Sequence, residues 1–187
     1  MADAAISYKS EFTVDDIYEL PEGQRAELVD GKWFDMATPS RVHQRISHQL
    51  SYELESYIRK KGGDCQVYSA PFAVFLKDDG KNYLEPDISV ICDSSKLDDK
   101  GCHGAPDIVM EVLSPSTKDR DLGVKLYLYR QSGVREYWAI NPEIGISMIY
   151  FFSLEDEEAE IINQIPFDSE ASSKVFEGFS VKLSELV

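Results

Sequence analysis

The 187-residue sequence is short of several things that would set its class at once. No run of about 18 apolar residues occurs, which excludes a membrane-spanning helix. The opening MADAAISYKSEF has neither a basic stretch nor an apolar core, so no signal peptide is expected. Cysteine is scarce: only Cys65, Cys92 and Cys102, an odd count with no C-x-x-C spacing. A structural zinc site or a disulfide framework is therefore not expected, and a reducing cytoplasm fits best. Cys102-His103 is half a metal site at most and reads as loop. Positive charge is also scarce, with 19 Lys and Arg against 34 Asp and Glu, a net of −15. Such a surface repels phosphates and argues against a tight, non-specific nucleic-acid coat. There is no internal repeat and no low-complexity linker.

Local charge departs from the global balance. Residues 41–61 carry Arg41, Arg45, Arg59, Lys60 and Lys61 against Glu53 and Glu55. Residues 114–135 carry Lys118, Arg120, Lys125, Arg130 and Arg135 against Asp119 and Asp121. The acidic run Glu155, Asp156, Glu157, Glu158, Glu160 reads as a solvated hairpin tip.

Periodicity supplies the elements. Thr13-Val-Asp-Asp16 has the form of a capping box. Residues 25–36 read as a hairpin around Asp30-Gly31. Val42, Ile46, Leu50, Leu54 and Ile58 form one apolar stripe of a long helix that Gly62-Gly63 ends. Three strand candidates follow: 65–76, which Pro71 bends or divides, then 85–92 and 106–113. Residues 117–132 read as a helix with Leu122, Leu126 and Tyr129 on one face, and 134–140 as a strand. Segments 146–152 and 159–165 read as a further hairpin, and 180–187 as a short tail element. This order predicts an α/β fold, a central mixed sheet flanked by helices.

Two carboxylates interrupt the apolar strands. Asp87 follows Pro86, and Glu111 lies inside DIVMEVL. A buried carboxylate is costly unless paired, protonated or bound to a cation. Their spacing allows one strand, a connection and the next strand, so adjacent strands could bring both to one ion. Hard oxygen ligands select Mg²⁺, with Mn²⁺ as a substitute, and leave positions for water and a phosphate. Each also has a plainer reading: Asp87 as a turn residue, Glu111 as a strand end facing water.

With these residues in place, the sequence resembles the PD-(D/E)XK nuclease superfamily. More narrowly, RAELVDG, EPDISVI and APDIVMEVLSPSTKDRDLGVKLYLYRQSGVREYWAINPE resemble a bacterial restriction-endonuclease-like family once called a domain of unknown function. The resemblance implies one nuclease-like domain over residues 1–187, with a core of about 40–140 and β-hairpin additions at both ends. It implies a metal site of Asp87 and Glu111, with the backbone carbonyl of Val112 as a further ligand. The (D/E)XK lysine is replaced by Leu113, and the resemblance assigns its role to Lys125 from the following helix. It also adds Glu27 to the site, marks His43 as a candidate phosphate contact, and implies a homodimer.

The residues themselves leave alternatives. Lys125 borders the apolar stripe and could cover it with its stem. Glu27 is equally compatible with a surface ion pair. His43 and His48 read as part of a solvated helix face, and Tyr127, Tyr129 and Tyr137 as core. Ser114-Pro-Ser-Thr117 lacks a histidine base nearby and reads as strand exit and helix cap. The leading expectation is a Mg²⁺-dependent endonuclease that binds DNA with modest, salt-sensitive affinity. The rival is a catalytically silent domain of the same fold that binds a partner or dimerises.

Overall fold

The computed structural model describes residues 10–152 and 161–187. Helix α1 (Val14–Tyr18) opens on the capping box, in which the Thr13 N–H donates to the Asp16 carboxylate at 2.7 Å. Strands β1 (Ala26–Val29) and β2 (Lys32–Asp35) form the first hairpin. Its turn puts Asp30 at φ 48° and Gly31 at φ 74°, the paired left-handed geometry of a tight two-residue loop. Helix α2 (Arg41–Lys61) starts where the Ser40 hydroxyl caps the His43 N–H, and ends at Gly62 in the left-handed region. Its stripe Ile46, Leu50, Leu54, Ile58 is buried.

The chain then forms β3 (Gln66–Ser69), β4 (Val74–Phe75), β5 (Ile88–Ile91), β6 (Leu97–Asp98), β7 (Gly101–His103) and β8 (Ile108–Val112). After β8, α3 (Lys118–Arg120) runs through a π turn (Asp121–Lys125) into α4 (Leu126–Ser132), which Gly133 stops. Strands β9 (Glu136–Asn141), β10 (Ile146–Phe151), β11 (Ile161–Pro166), β12 (Glu170–Ser172) and β13 (Ser180–Lys182) complete the order.

The central sheet has six strands in the order β11-β10-β9-β8-β5-β3. Only β8 and β9 run parallel; the other pairs are antiparallel. A parallel pair needs a crossover, and the α3–α4 helix supplies it. The two faces carry different cores. Ile108, Met110 and Val112 pack with the α2 stripe. Val109 and Leu113 pack with Leu128 and Tyr129 of α4. By the two-residue period of a strand, Glu111 points to the α4 side. The tail contributes too, since Leu183 and Leu186 are buried in the α2-side core.

The expected elements are present, and residues 65–76 divide into β3 and β4 across Pro71. The acidic run at 155–160 lies outside the described residues. Two expectations are corrected. Cys65 and Cys92 form a disulfide, because the β3–β5 register that pairs Gln66 with Ile91 sets them opposite each other. Cys102-His103 lies in β7 rather than in a loop, with Cys102 buried. No helix among the described residues is long and apolar enough to cross a membrane.

Candidate active site

The β5–β8 register pairs Ile88 with Met110. Extended by one residue, it sets Asp87 opposite Glu111. The Asp87 N–H donates to Glu111 Oε2 at 3.3 Å, and the Val112 N–H donates to Asp87 Oδ2 at 2.7 Å. Both carboxylates line a cavity of about 690 Å³ bounded by β1, the start of α2, the end of β8 and the π turn. Glu111 is buried and does not face water.

Lys125 is the centre of the charge network. It is 2% exposed, and its ammonium lies 2.5 Å from Glu111 Oε1, 3.0 Å from Glu27 Oε1 and 3.4 Å from Asp121 Oδ1. The snorkelling alternative is thereby removed. Burial alone would lower its pKa, but Glu111, Glu27 and Asp121 outweigh burial and raise it well above the ordinary lysine value.

Glu27 is 1% exposed and is no surface ion pair. Hairpin strand β1 passes under the cavity, so Glu27 accepts from Lys125, from Arg120 Nη2 at 3.1 Å and from the Glu85 N–H at 3.1 Å. Burial favours its neutral form, yet the charges of Lys125 and Arg120 hold its carboxyl below the usual range. Its neighbour Arg25 pairs with Glu85 instead.

His43 is also corrected. It does not belong to a solvated face: its Nε2 lies 2.9 Å from Asp87 Oδ2, while its Nδ1 is buried without a hydrogen-bond partner. Burial opposes protonation, but the bond to Asp87 raises the His43 pKa overall. His48 is exposed, as read. Tyr129 and Tyr137 are core, whereas Tyr127 is 66% exposed, because it lies on the side of α4 away from the sheet.

Three participants were missed. Asp121, Arg120 and Tyr129 all touch the network, with the Tyr129 hydroxyl donating to Glu111 Oε1 at 2.9 Å. A signal existed: Asp121, Lys125 and Tyr129 recur at four-residue steps, a polar stripe beside the apolar one. The basic reading of residues 114–135 weakens accordingly, since Lys125 and Arg120 are spent on internal carboxylates and Arg135 pairs with Asp107.

Glu111 carries an electrostatic cost of its own. Burial, reinforced by Asp121, Asp87 and Glu27 and opposed by Lys125, pushes its carboxyl up to about 8. Around the cavity, Glu27, Glu85, Asp87, Glu111, Asp121 and Glu143 face three permanent cations, Arg25, Arg120 and Lys125. The donor set is hard oxygen with an excess of negative charge, which suits a divalent cation. No cluster of three or more His, Cys, Asp or Glu among the described residues is arranged around one ion position. Magnesium does not require one, since it commonly takes one or two protein carboxylates and completes its shell with water and phosphate oxygens.

A pH dependence follows from Glu111. Its folded pKa of about 8 lies above the ordinary 4.5, so between these values the folded chain holds a proton that the unfolded chain has released. That contribution to metal-free stability is fully present below the lower value and is lost as pH rises through the folded one. A divalent cation would replace the proton. The rise in Tm on adding Mg²⁺ should therefore be larger at pH 8 than at pH 5, and Glu111→Gln should remove the difference. Equal shifts at both pH values in thermal denaturation would reject this assignment of the buried carboxylate.

Mixed sheet, crossover helix and carboxylate-lined cavity define a restriction-endonuclease-like protein. The fold is shared with the crystal structure of a "putative nuclease belonging to DUF820" from Anabaena variabilis, at a TM-score of 0.72 and 20% identity, over 94% of this chain and 97% of that one. Residues 14–184 match the Uma2 family, described as "Putative restriction endonuclease", and the chain belongs to that family. It is also 27% identical over 146 residues to the uncharacterized protein slr1290 of Synechocystis sp., covering 78% of this chain and 75% of that protein.

Proposed function

We propose that this protein is a divalent-metal-dependent endonuclease that hydrolyses DNA phosphodiester bonds, a PD-(D/E)XK enzyme with a relocated lysine. The observation that carries the reading is the pairing of Asp87 with Glu111 across β5 and β8, with the Lys125 ammonium on the same carboxylate. Asp87 and Glu111, joined by the Val112 carbonyl, would hold Mg²⁺ or Mn²⁺. When bound, the ion would polarise the phosphodiester and supply a nucleophilic water at neutral pH. The chain's own groups have separable tasks. Lys125 offers positive charge to the phosphate as negative charge develops on it. Glu27 and Arg120 fix the lysine, Tyr129 orients Glu111, and His43 orients Asp87 while presenting a ring edge to the cavity.

The deciding experiment is Mn²⁺-supported cleavage of mixed single- and double-stranded DNA, with Asp87→Ala as control. Cleavage by the parent and not by the variant is expected. If neither cleaves and the parent gives no heat with Mn²⁺, the silent binding-module reading takes over. A homodimer belongs to the same proposal, whereas a cytoplasmic site of action loses the ground the cysteine count offered, since Cys65 and Cys92 are bonded.

Arg41 and Arg45 are exposed on the first turns of α2, whose neighbours Ser40, Val42, His43 and Gln44 line the cavity. They are suited to contact phosphates at its rim. Reversing both to Glu should weaken DNA binding and reduce the slope of log affinity against log salt by about 2, one per lost phosphate contact. An unchanged slope in a salt titration would mean that α2 does not face nucleic acid.

A further inference from the structure

We propose that Lys125 is a resident cation on Glu111 that yields to a divalent metal by moving onto Asp121, so that Asp121 is the positioning residue that keeps ammonium and metal from competing for one carboxylate. The inference rests on the metal reading above.

The three carboxylates around Lys125 are not equivalent. Glu111 holds the ammonium most closely, at 2.5 Å. Glu27 is already well supplied, accepting from Arg120, from the Glu85 N–H and from Lys125 itself. Asp121 is different. Its Oδ1 is buried without a hydrogen-bond partner, and the ammonium stands 3.4 Å away. Leaving a carboxylate oxygen unpaired in the interior is costly, so a fold that retains one keeps an acceptor in reserve. A shift of roughly 0.6 Å would bring the ammonium to the usual charge-assisted bond length.

The surroundings permit that shift. Asp121 begins the π turn and Lys125 ends it, and such turns occur frequently at functional positions. The Asp121 carbonyl accepts from the buried Tyr137 hydroxyl at 3.3 Å, which anchors its backbone while the carboxylate faces the cavity. Glu111 does not depend on the lysine for its orientation, because Tyr129 donates to the same oxygen at 2.9 Å. When the ammonium leaves, the carboxylate stays aimed beside Asp87. Lys125 remains within the site, next to where a phosphate would lie.

The test is a calorimetric Mn²⁺ titration of the full chain as wild type, Asp121→Asn, Lys125→Met and the double variant, with melting temperatures recorded in parallel. Asp121→Asn should weaken Mn²⁺ binding at least about fivefold, because the ammonium is then confined to Glu111. With the titrations run at about pH 9, where Glu111 is not held by a proton in place of the lysine, Lys125→Met should tighten binding by a similar factor, since the competing cation is gone. In the Lys125→Met background, Asp121→Asn should have no further effect. A purely structural Asp121 would lower Tm and leave Mn²⁺ affinity unchanged, which overturns the proposal. So would weakening by Asp121→Asn in both backgrounds, because Asp121 would then act on the metal directly. If Asp121→Asn does not fold, the Lys125→Met arm decides alone: unchanged or weaker Mn²⁺ binding refutes the exchange. A wild type that gives no Mn²⁺ heat would instead bring down the metal reading itself.

Discussion

Replacing Lys125 by alanine is expected to reduce both stability and cleavage. A lysine at the edge of an apolar stripe would be dispensable to the fold, but this one is buried against Glu111, Glu27 and Asp121. Removing one partner of a buried ionic group leaves uncompensated charge, at a cost of about 3–5 kcal/mol. For a chain of this length that corresponds to a loss of roughly 10 °C in Tm. Cleavage should fall by about 10²–10³-fold, the usual effect of losing one electrostatic contact to a transition state. Lys125→Arg should restore activity only in part, because the wider, planar guanidinium cannot occupy a point position among three carboxylates. Thermal melts and single-turnover cleavage separate the two effects. A variant that melts like the parent and cleaves normally would remove Lys125 from both roles.

The double replacement Asp87→Ala with Glu111→Ala should cost the metal-free protein less than Lys125→Ala does. Glu111 is a buried carboxyl raised to about 8, and its removal relieves that cost while Lys125 keeps Glu27 and Asp121. The relief is offset because the Val112 N–H and His43 lose Asp87 and the Tyr129 hydroxyl loses Glu111, so metal-free Tm should fall by less than in Lys125→Ala. Mn²⁺ should then give neither heat nor thermal protection. At a metal concentration of 100 times Kd, the protection lost is about 2.7 kcal/mol. Cleavage should drop to background. An unchanged calorimetric isotherm would show that the ion binds elsewhere, and the assignment of Asp87 and Glu111 would fail.

The contrast between these variants explains where the sequence was readable. Asp87 and Glu111 stand out because a carboxylate in an apolar strand is a local anomaly. Glu27 and His43 do not, since a glutamate in a short hairpin and a histidine at a helix start have ordinary surface readings. What makes them part of the site is β1 passing beneath the cavity and the start of α2 reaching Asp87. Asp121 reads in the sequence as one charge within a basic window, although it lies four residues from Lys125 and contacts it. The disulfide is not legible in the sequence for a similar reason: Cys65 and Cys92 are 27 residues apart, and only the register of β3 on β5 brings them opposite.

The sequence alone determined the order of elements, the apolar stripe of α2, the Asp30-Gly31 turn and the two anomalous carboxylates. Each rests on interactions within a few residues, where periodicity, capping and backbone freedom act. Tertiary structure decided the rest. It put Lys125 among three carboxylates instead of along a stripe, matched Glu27 with Arg120, and tied His43 to Asp87. Those partners lie up to 98 residues apart. A side chain's charge state and exposure depend on every element packed around it, and strand order and register, not local pattern, bring those elements together.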